Sequence, residues 1–219
     1  MSIICSVLGI SPAQISAVRA TPPLASDLAR TAEDIQQRAE LDQIVQRMSP
    51  EQRQKFERDQ AAIDAKPGAR DIRTRVAAAR ARAAVLGPVE EAISLEKSWH
   101  MLHYLFTGHI GPASAPGDLL LTGEELGEDV GYGPPRLHGP AAARNFSQFL
   151  EAQDLTRLQA RVDYREMSRL GVYAMPGGQG SEVQFESDLR NEVGWAFPLL
   201  RGYVGTISHK GYGLLIWLS

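Results

Sequence analysis

The chain distributes its aromatic residues and glycines so unevenly that its two parts cannot share one kind of core. It has three Trp, six Tyr and six Phe, and of these only Phe56 precedes Trp99. Of its 20 glycines, only Gly9 and Gly68 precede Gly87. Large aromatics dominate the area a core can bury, so the main core is expected in the C-terminal part. The stretch from Leu24 to Leu86 is rich in Ala, Arg, Gln and Glu, which are strong helix formers. It reads as three helices. The first spans Leu24 to Met48, with Leu24, Leu28, Ile35, Leu41, Ile44, Val45 and Met48 near one face. The second runs from Pro50 to Ala65, with Ser49 as N-cap and Pro50 at the first helical position. The third runs from Arg70 to Leu86 and stops at Gly87-Pro88. The expected organisation is therefore a domain of residues 1–21 and 88–219 carrying a helical insertion, residues 22–87.

Strand signals lie at the two ends. Ser2 to Leu8 contains Ile3, Ile4, Cys5 and Val7, and the chain closes with the apolar run Tyr212 to Leu218. Continuous apolar runs of this length suit strands buried on both faces, so the two can pair in one sheet. Ser11-Pro12 caps a short helix ending near Ala20. Further helices are expected over Pro88–Thr107, Pro140–Ala152 and Glu182–Gly205, and from an Asp154 cap to Leu170, with Pro198 kinking or breaking the last of the chain. His109–Pro116 and Met175–Ser181 read as loops, and Gly131–Pro135 is too rich in Gly and Pro for a regular element. The fold class is α+β, helix-rich, with a small sheet.

Composition narrows the function classes. The formal net charge of −3 over 219 residues provides no global basic field for nucleic acid. The one cysteine, Cys5, rules out an internal disulfide and a cysteine-based zinc site. In its apolar run it reads as a small buried hydrophobe rather than a nucleophile. No apolar stretch approaches the ~20 residues of a membrane span, and the N-terminus lacks the pattern of a secretory signal. The expectation is a cytoplasmic protein without a membrane anchor. There is no phosphate-loop or dinucleotide fingerprint, no nucleophile elbow and no His-Glu-x-x-His pair, so no cofactor or metal is implied.

Two segments carry a family resemblance. LEKSWHMLHYLFTG (Leu95 to Gly108) and GEDVGYGPPR (Gly127 to Arg136) together resemble the YfbM-like family of bacterial proteins, a domain of unknown function (1877). The short N-terminal strand and the apolar C-terminal strand occur in the same order. The resemblance covers roughly residues 1–20 and 88–219 and implies a helix-rich α+β fold; it implies no particular chemistry. Leu24–Leu86 looks like an extension beyond shorter members, and Tyr173-Ala-Met-Pro176 followed by GGQG departs from the family pattern.

The candidate site is the polar face of the Leu95–Thr107 helix. At 3.6 residues per turn Leu95, Trp99, Leu102 and Phe106 form the core face, and Glu96, His100, His103 and Thr107 lie beside it. Glu96 can orient His100, and a histidine suits general acid–base work. Asp129, Tyr132 and Arg136 from the glycine-rich turn complete a candidate cleft, with Arg136 suited to gripping an anionic group. The rival reading makes the histidines half-buried hydrogen-bonders that tie the helix to backbone, and the turn a structural one in which Asp129 pairs with Arg136. A metal bound by the two histidines would need Glu128, Asp129 or His138 as well. Arg70, Arg73, Arg75, Arg80 and Arg82, against Asp71 alone, make a locally basic helix. Without aromatic or Asn/Gln readers it suits an acidic neighbour better than sequence-specific DNA.

Two functions remain open from sequence. One is a non-catalytic binding module that docks a protein partner or a second copy through residues 24–86. The other is an enzyme or small-ligand binder working in the cleft of Glu96, His100, His103, Asp129, Tyr132 and Arg136. The absence of any nucleophile, cofactor or complete metal signature favours the first.

Overall fold

The computed structural model describes residues 3–177 and 179–219, and their side chains except those of Pro67 and Arg70. Ser2, Gly178 and the Arg70 side chain, which figure in the expectations above, lie outside the described residues. Strand β1 (Cys5–Ile10) is followed by α1 (Pro12–Ala20), α2 (Pro23–Arg47), α3 (Pro50–Asp64) and α4 (Pro67–Ala83). Then come β2 (Ile93–Ser94), α5 (Trp99–Thr107), β3 (Glu124–Glu125), β4 (Arg136–His138) and α6 (Pro140–Glu151). The chain ends with α7 (Leu155–Ala160), α8 (Tyr164–Leu170), α9 (Glu182–His209) and β5 (Gly213–Leu218).

The two terminal strands form the centre of the sheet, as their apolar runs predict. β1 and β5 are antiparallel with Cys5 opposite Leu218 and Ile10 opposite Gly213, and every residue of both is buried. The five strands are ordered β2-β1-β5-β4-β3, with each neighbouring pair antiparallel. Alternation along the strands divides the core in two. Cys5, Val7, Leu214, Ile216 and Leu218 face α5, α6 and α9 in a core that also holds Leu102, Phe146 and Phe197. Leu8, Ile10, Leu215 and Trp217 face the other way, against Val18 of α1 and Ala25, Leu28 and Ala29 of α2. Burial pushes the Cys5 thiol up to about 12, so it packs as a hydrophobe.

Ser11 and Ser49 each form a reciprocal capping box, with Gln14 and Gln52 respectively, and each is followed by proline at the first helical position. The helical segment is buried at its base, and beyond it Gln36, Ala39, Glu40 and Gln43 of α2 line a groove shared with Ile93, Trp195 and Leu199. In α2 burial stops at Ala32, and α3 buries no residue at all. The far part of α2, α3 and the start of α4 thus form an arm whose sides lie open to solvent. At the base the Trp217 indole donates to Glu33 at 2.6 Å, and Asp27, 2% exposed, accepts from Arg82 at 2.6 and 2.8 Å.

Three expectations need correction. Pro88–Ser98 is not helical, because Ile93 and Ser94 pair with Val7 and Ser6 and satisfy the open edge of β1. The helix therefore starts only at Trp99. The expected helix from Asp154 to Leu170 is two: Asp163 accepts from the Glu166 N–H at 2.9 Å and opens α8 as a new start. Finally, α9 is unbroken at Pro198 and continues to His209. Its stripe of Leu189, Val193, Ala196, Phe197, Leu200, Val204 and Ile207 is buried. At about 1.5–3 kcal/mol for each large apolar side chain, this outweighs the ~3 kcal/mol proline cost.

Candidate functional site

The two histidines of α5 point into the protein, and both use their rings to hold neighbouring backbone. His100 Nε2 lies 2.7 Å from the Ile110 carbonyl, and its Nδ1 lies 2.7 Å from the Tyr173 N–H. A carbonyl only accepts and a backbone N–H only donates, so the ring is fixed as the Nε2–H tautomer. His103 Nε2 likewise donates to the Gly111 carbonyl at 2.8 Å. The rings of Trp99 and His100 stack at 4.8 Å, and those of His100 and His103 at 6.4 Å. Glu96 does not meet His100: it precedes α5 with φ +48, is exposed, and accepts from the Ser94 hydroxyl at 2.9 Å.

The glycine-rich turn is closed by its own aspartate. Asp129 Oδ1 accepts from the N–H groups of Gly131 and Gly133 at 2.6 and 3.1 Å, and these bonds hold its carboxyl below the usual carboxylate range. The Tyr132 N–H donates to the Leu218 carbonyl at 3.0 Å, which fastens the turn to the end of β5. Gly127, at φ +88, is required because a Cβ there would run into Ser26 and the Pro22 carbonyl of the arm base. Arg136 lies on β4 with its Nε 3.9 Å from Glu125, not on Asp129. The structure thus joins His100 to His103 and ties Asp129 and Tyr132 into one turn, while Glu96 and Arg136 bond elsewhere. No side chain among the six hydrogen-bonds to another of them.

A second polar cluster includes a residue that sequence reasoning missed. Asp118 and His138 are almost fully buried, and Asp118 lies within electrostatic reach of both His138 and His103. His103 Nδ1, Asp118 Oδ1, Arg136 Nη1 and His138 Nε2 are buried without a hydrogen-bond partner. Burial is the main cause lowering the pKa of both His103 and His138. Among the described residues no three His, Cys, Asp or Glu side chains are placed to hold a metal ion. Asp118 could not be singled out in advance: it stands in a loop, and only the folding of that loop over β4 brings it beside the histidines.

The arm presents a different kind of surface. Leu41, Ile44, Ile63 and Ile72 are exposed, Ile44 and Ile72 by 52% and 55%. Arg73 pairs with Asp64 at 2.6 Å, Arg80 with Asp34 at 3.8 Å and Arg82 with Asp27, so most of the described basic side chains of α4 meet acids within the arm. Arg75, Glu40 and Asp42 make no such ion pair. No helix among the described residues is long and apolar enough to cross a membrane.

Fold and sites together define a helix-clad antiparallel α+β protein with a projecting helical arm. The chain belongs to the family described as a domain of unknown function, DUF1877, whose model matches residues 1–217, arm included. Among solved structures it is similar to YfbM of Escherichia coli, a protein of unknown function, at 16% identity over 99% of each chain and a TM-score of 0.56. At that identity the likeness concerns the fold. No curated protein matches the sequence.

Proposed function

We propose that this protein is a non-catalytic binding module, and that the occupant of its arm is the arm of a second copy. The observation that carries this reading is the set of large aliphatic side chains left open along α2, α3 and α4, on an arm where α3 has no core of its own. Scattered single apolar residues are ordinary on a surface, but here four lie on one narrow element that leaves the body. Charge favours a copy of the same chain. Glu40 and Asp42 stand on α2, and Arg75, which makes no ion pair, stands on α4, so a two-fold contact that sets α2 of one copy against α4 of the other brings opposite charges together twice. Leu41 and Ile44, three residues apart, share one side of α2.

Sedimentation velocity of the full chain, across a concentration series into the micromolar range, tests the reading. A dimer is expected, and Leu41→Glu combined with Ile44→Glu and Ile72→Glu is expected to leave a folded monomer, since all three side chains are exposed. A wild-type chain that stays monomeric throughout, whether or not it captures some other protein, overturns the proposed occupant. A dimer that survives the triple substitution places the contact elsewhere and overturns the role of the arm.

A further inference from the structure

A cavity of about 290 Å³ opens between the start of α5, the 173–176 loop and α9. Its volume lies at the lower end of the range for small-molecule sites. The walls combine two chemistries. Trp195, Tyr173, Met101 and Met175 supply aromatic and thioether surface, and Trp195 is one of the few aromatics in the protein with substantial exposure, at 39%. Glu192, Asp188 and Glu96 supply three carboxylates against a single Lys97.

Glu192 is the ordered member of that set. Its Oε2 accepts from the Ser98 hydroxyl at 2.7 Å and from the Trp195 indole at 2.9 Å. Those two bonds fix the carboxylate between the N-cap of α5 and the aromatic wall, so it also occupies the place where the positive end of α5 would favour an anion. A negative centre held against an indole, beside a second acid and with apolar walls, matches a positively charged group on an apolar body. The charge is attracted by the carboxylates and by the faces of the rings, and the body displaces water from the Met and aromatic walls. From this arrangement we infer that the cavity is a binding site for a small organic ammonium ion carrying an aromatic or aliphatic body. The six residues of the candidate cleft contribute only Glu96 to it, so the site is distinct from the histidine stack, and it does not depend on association through the arm.

The test uses the full chain and three probes built on the same phenethyl body: phenethylammonium, the neutral phenethyl alcohol and the anionic 3-phenylpropionate. Binding is followed by calorimetry and by the indole N–H resonance of Trp195, assigned with Trp195→Phe. Phenethylammonium is expected to bind at millimolar or lower concentration and to shift that resonance, with the alcohol weaker by at least about tenfold and the anion not binding. Glu192→Gln keeps a side chain that can meet Ser98 and Trp195 but removes the charge. It is expected to weaken the cation at least about tenfold and leave the alcohol unchanged. Equal binding of all three probes, preference for the anion, or no response of Trp195 to the cation at millimolar concentration overturns the inference. Circular dichroism of the Glu192→Gln chain separates loss of binding from loss of fold.

Discussion

The Tyr173 backbone N–H donates to His100 Nδ1 at 2.7 Å, while the Tyr173 hydroxyl accepts from the Ile3 N–H, also at 2.7 Å. One tyrosine thereby connects the histidine helix to the start of the central strand, and His100 passes the connection on to the Ile110 loop. This makes the histidine a structural cross-brace between three segments far apart in sequence. A two-bond ¹H–¹⁵N correlation spectrum at neutral pH should show His100 and His103 protonated at Nε2 and bare at Nδ1; protonation at Nδ1 in either ring would contradict the bonding described.

His100→Ala removes the acceptor for Tyr173 and the donor for Ile110, leaving two backbone groups without partners. The expected cost is about 2 kcal/mol, or roughly 4–8 °C in Tm for a chain of this size. Thermal unfolding followed by circular dichroism measures it, and a change near zero would mean the cross-brace contributes nothing to stability.

His103 and His138 give the fold a pH dependence of definite sign. Both have pKa values below the ordinary histidine value of 6.5 because burial disfavours the charged ring. As pH falls through about 6.5 the unfolded chain takes up protons that the folded chain refuses, so stability is fully present above that pH and declines below it. Urea unfolding between about pH 7.5 and pH 5 should show the decline, and His103→Gln with His138→Gln should flatten it. A wild-type profile that is level across this window would rule out the buried neutral state of both rings.

The arm depends on the Asp27–Arg82 pair at its base. Arg82→Gln leaves a buried carboxylate without its bidentate partner, whereas Arg80→Gln removes only a 3.8 Å contact to Asp34. The first substitution should lower Tm clearly more than the second and should speed amide exchange in α2 and α4 before it does so in β1 and β5. Equal losses from the two would show that the pair does not lock the arm.

Gly9 sits in the central strand directly under Ile207 of α9, with no room for a Cβ. Gly9→Ala is expected to cost about 1–3 kcal/mol through overpacking. Adding Ile207→Val, which withdraws the clashing methyl, should recover part of that loss, giving a coupling energy of at least about 0.5 kcal/mol in a double-mutant cycle. Strict additivity of the two changes would place the strain elsewhere.

Much of the fold was legible in the sequence where local chemistry and burial agree. The N-cap serines Ser11 and Ser49, the glycine stops at Gly87, Gly108 and Gly171, and the apolar terminal runs all appear as read. Two of the errors fall where a distant partner intervened, the third where Asp163 caps a new helix locally. Ile93 and Ser94 became a strand because β1 had an edge to fill, and α9 held together through Pro198 because the neighbouring helices and the sheet together cover its apolar stripe. Of the candidate cleft, the helix bearing His100 and His103 was found, but the partners of each ring were not, because Ile110, Gly111 and Tyr173 offer only backbone atoms, which every residue possesses.

Periodicity, caps and composition act over a few neighbouring residues, and they sufficed for the α+β class, the family, the two central strands and the three-helix arm. What the polar residues do was set by tertiary packing. It set Glu192 against Ser98 at the cavity, held His100 against Tyr173 and buried Asp118 beside two histidines. A hydrogen bond or a shifted pKa depends on distances of a few ångströms between groups that stand tens of residues apart, and those distances exist only once the two faces of the sheet are covered.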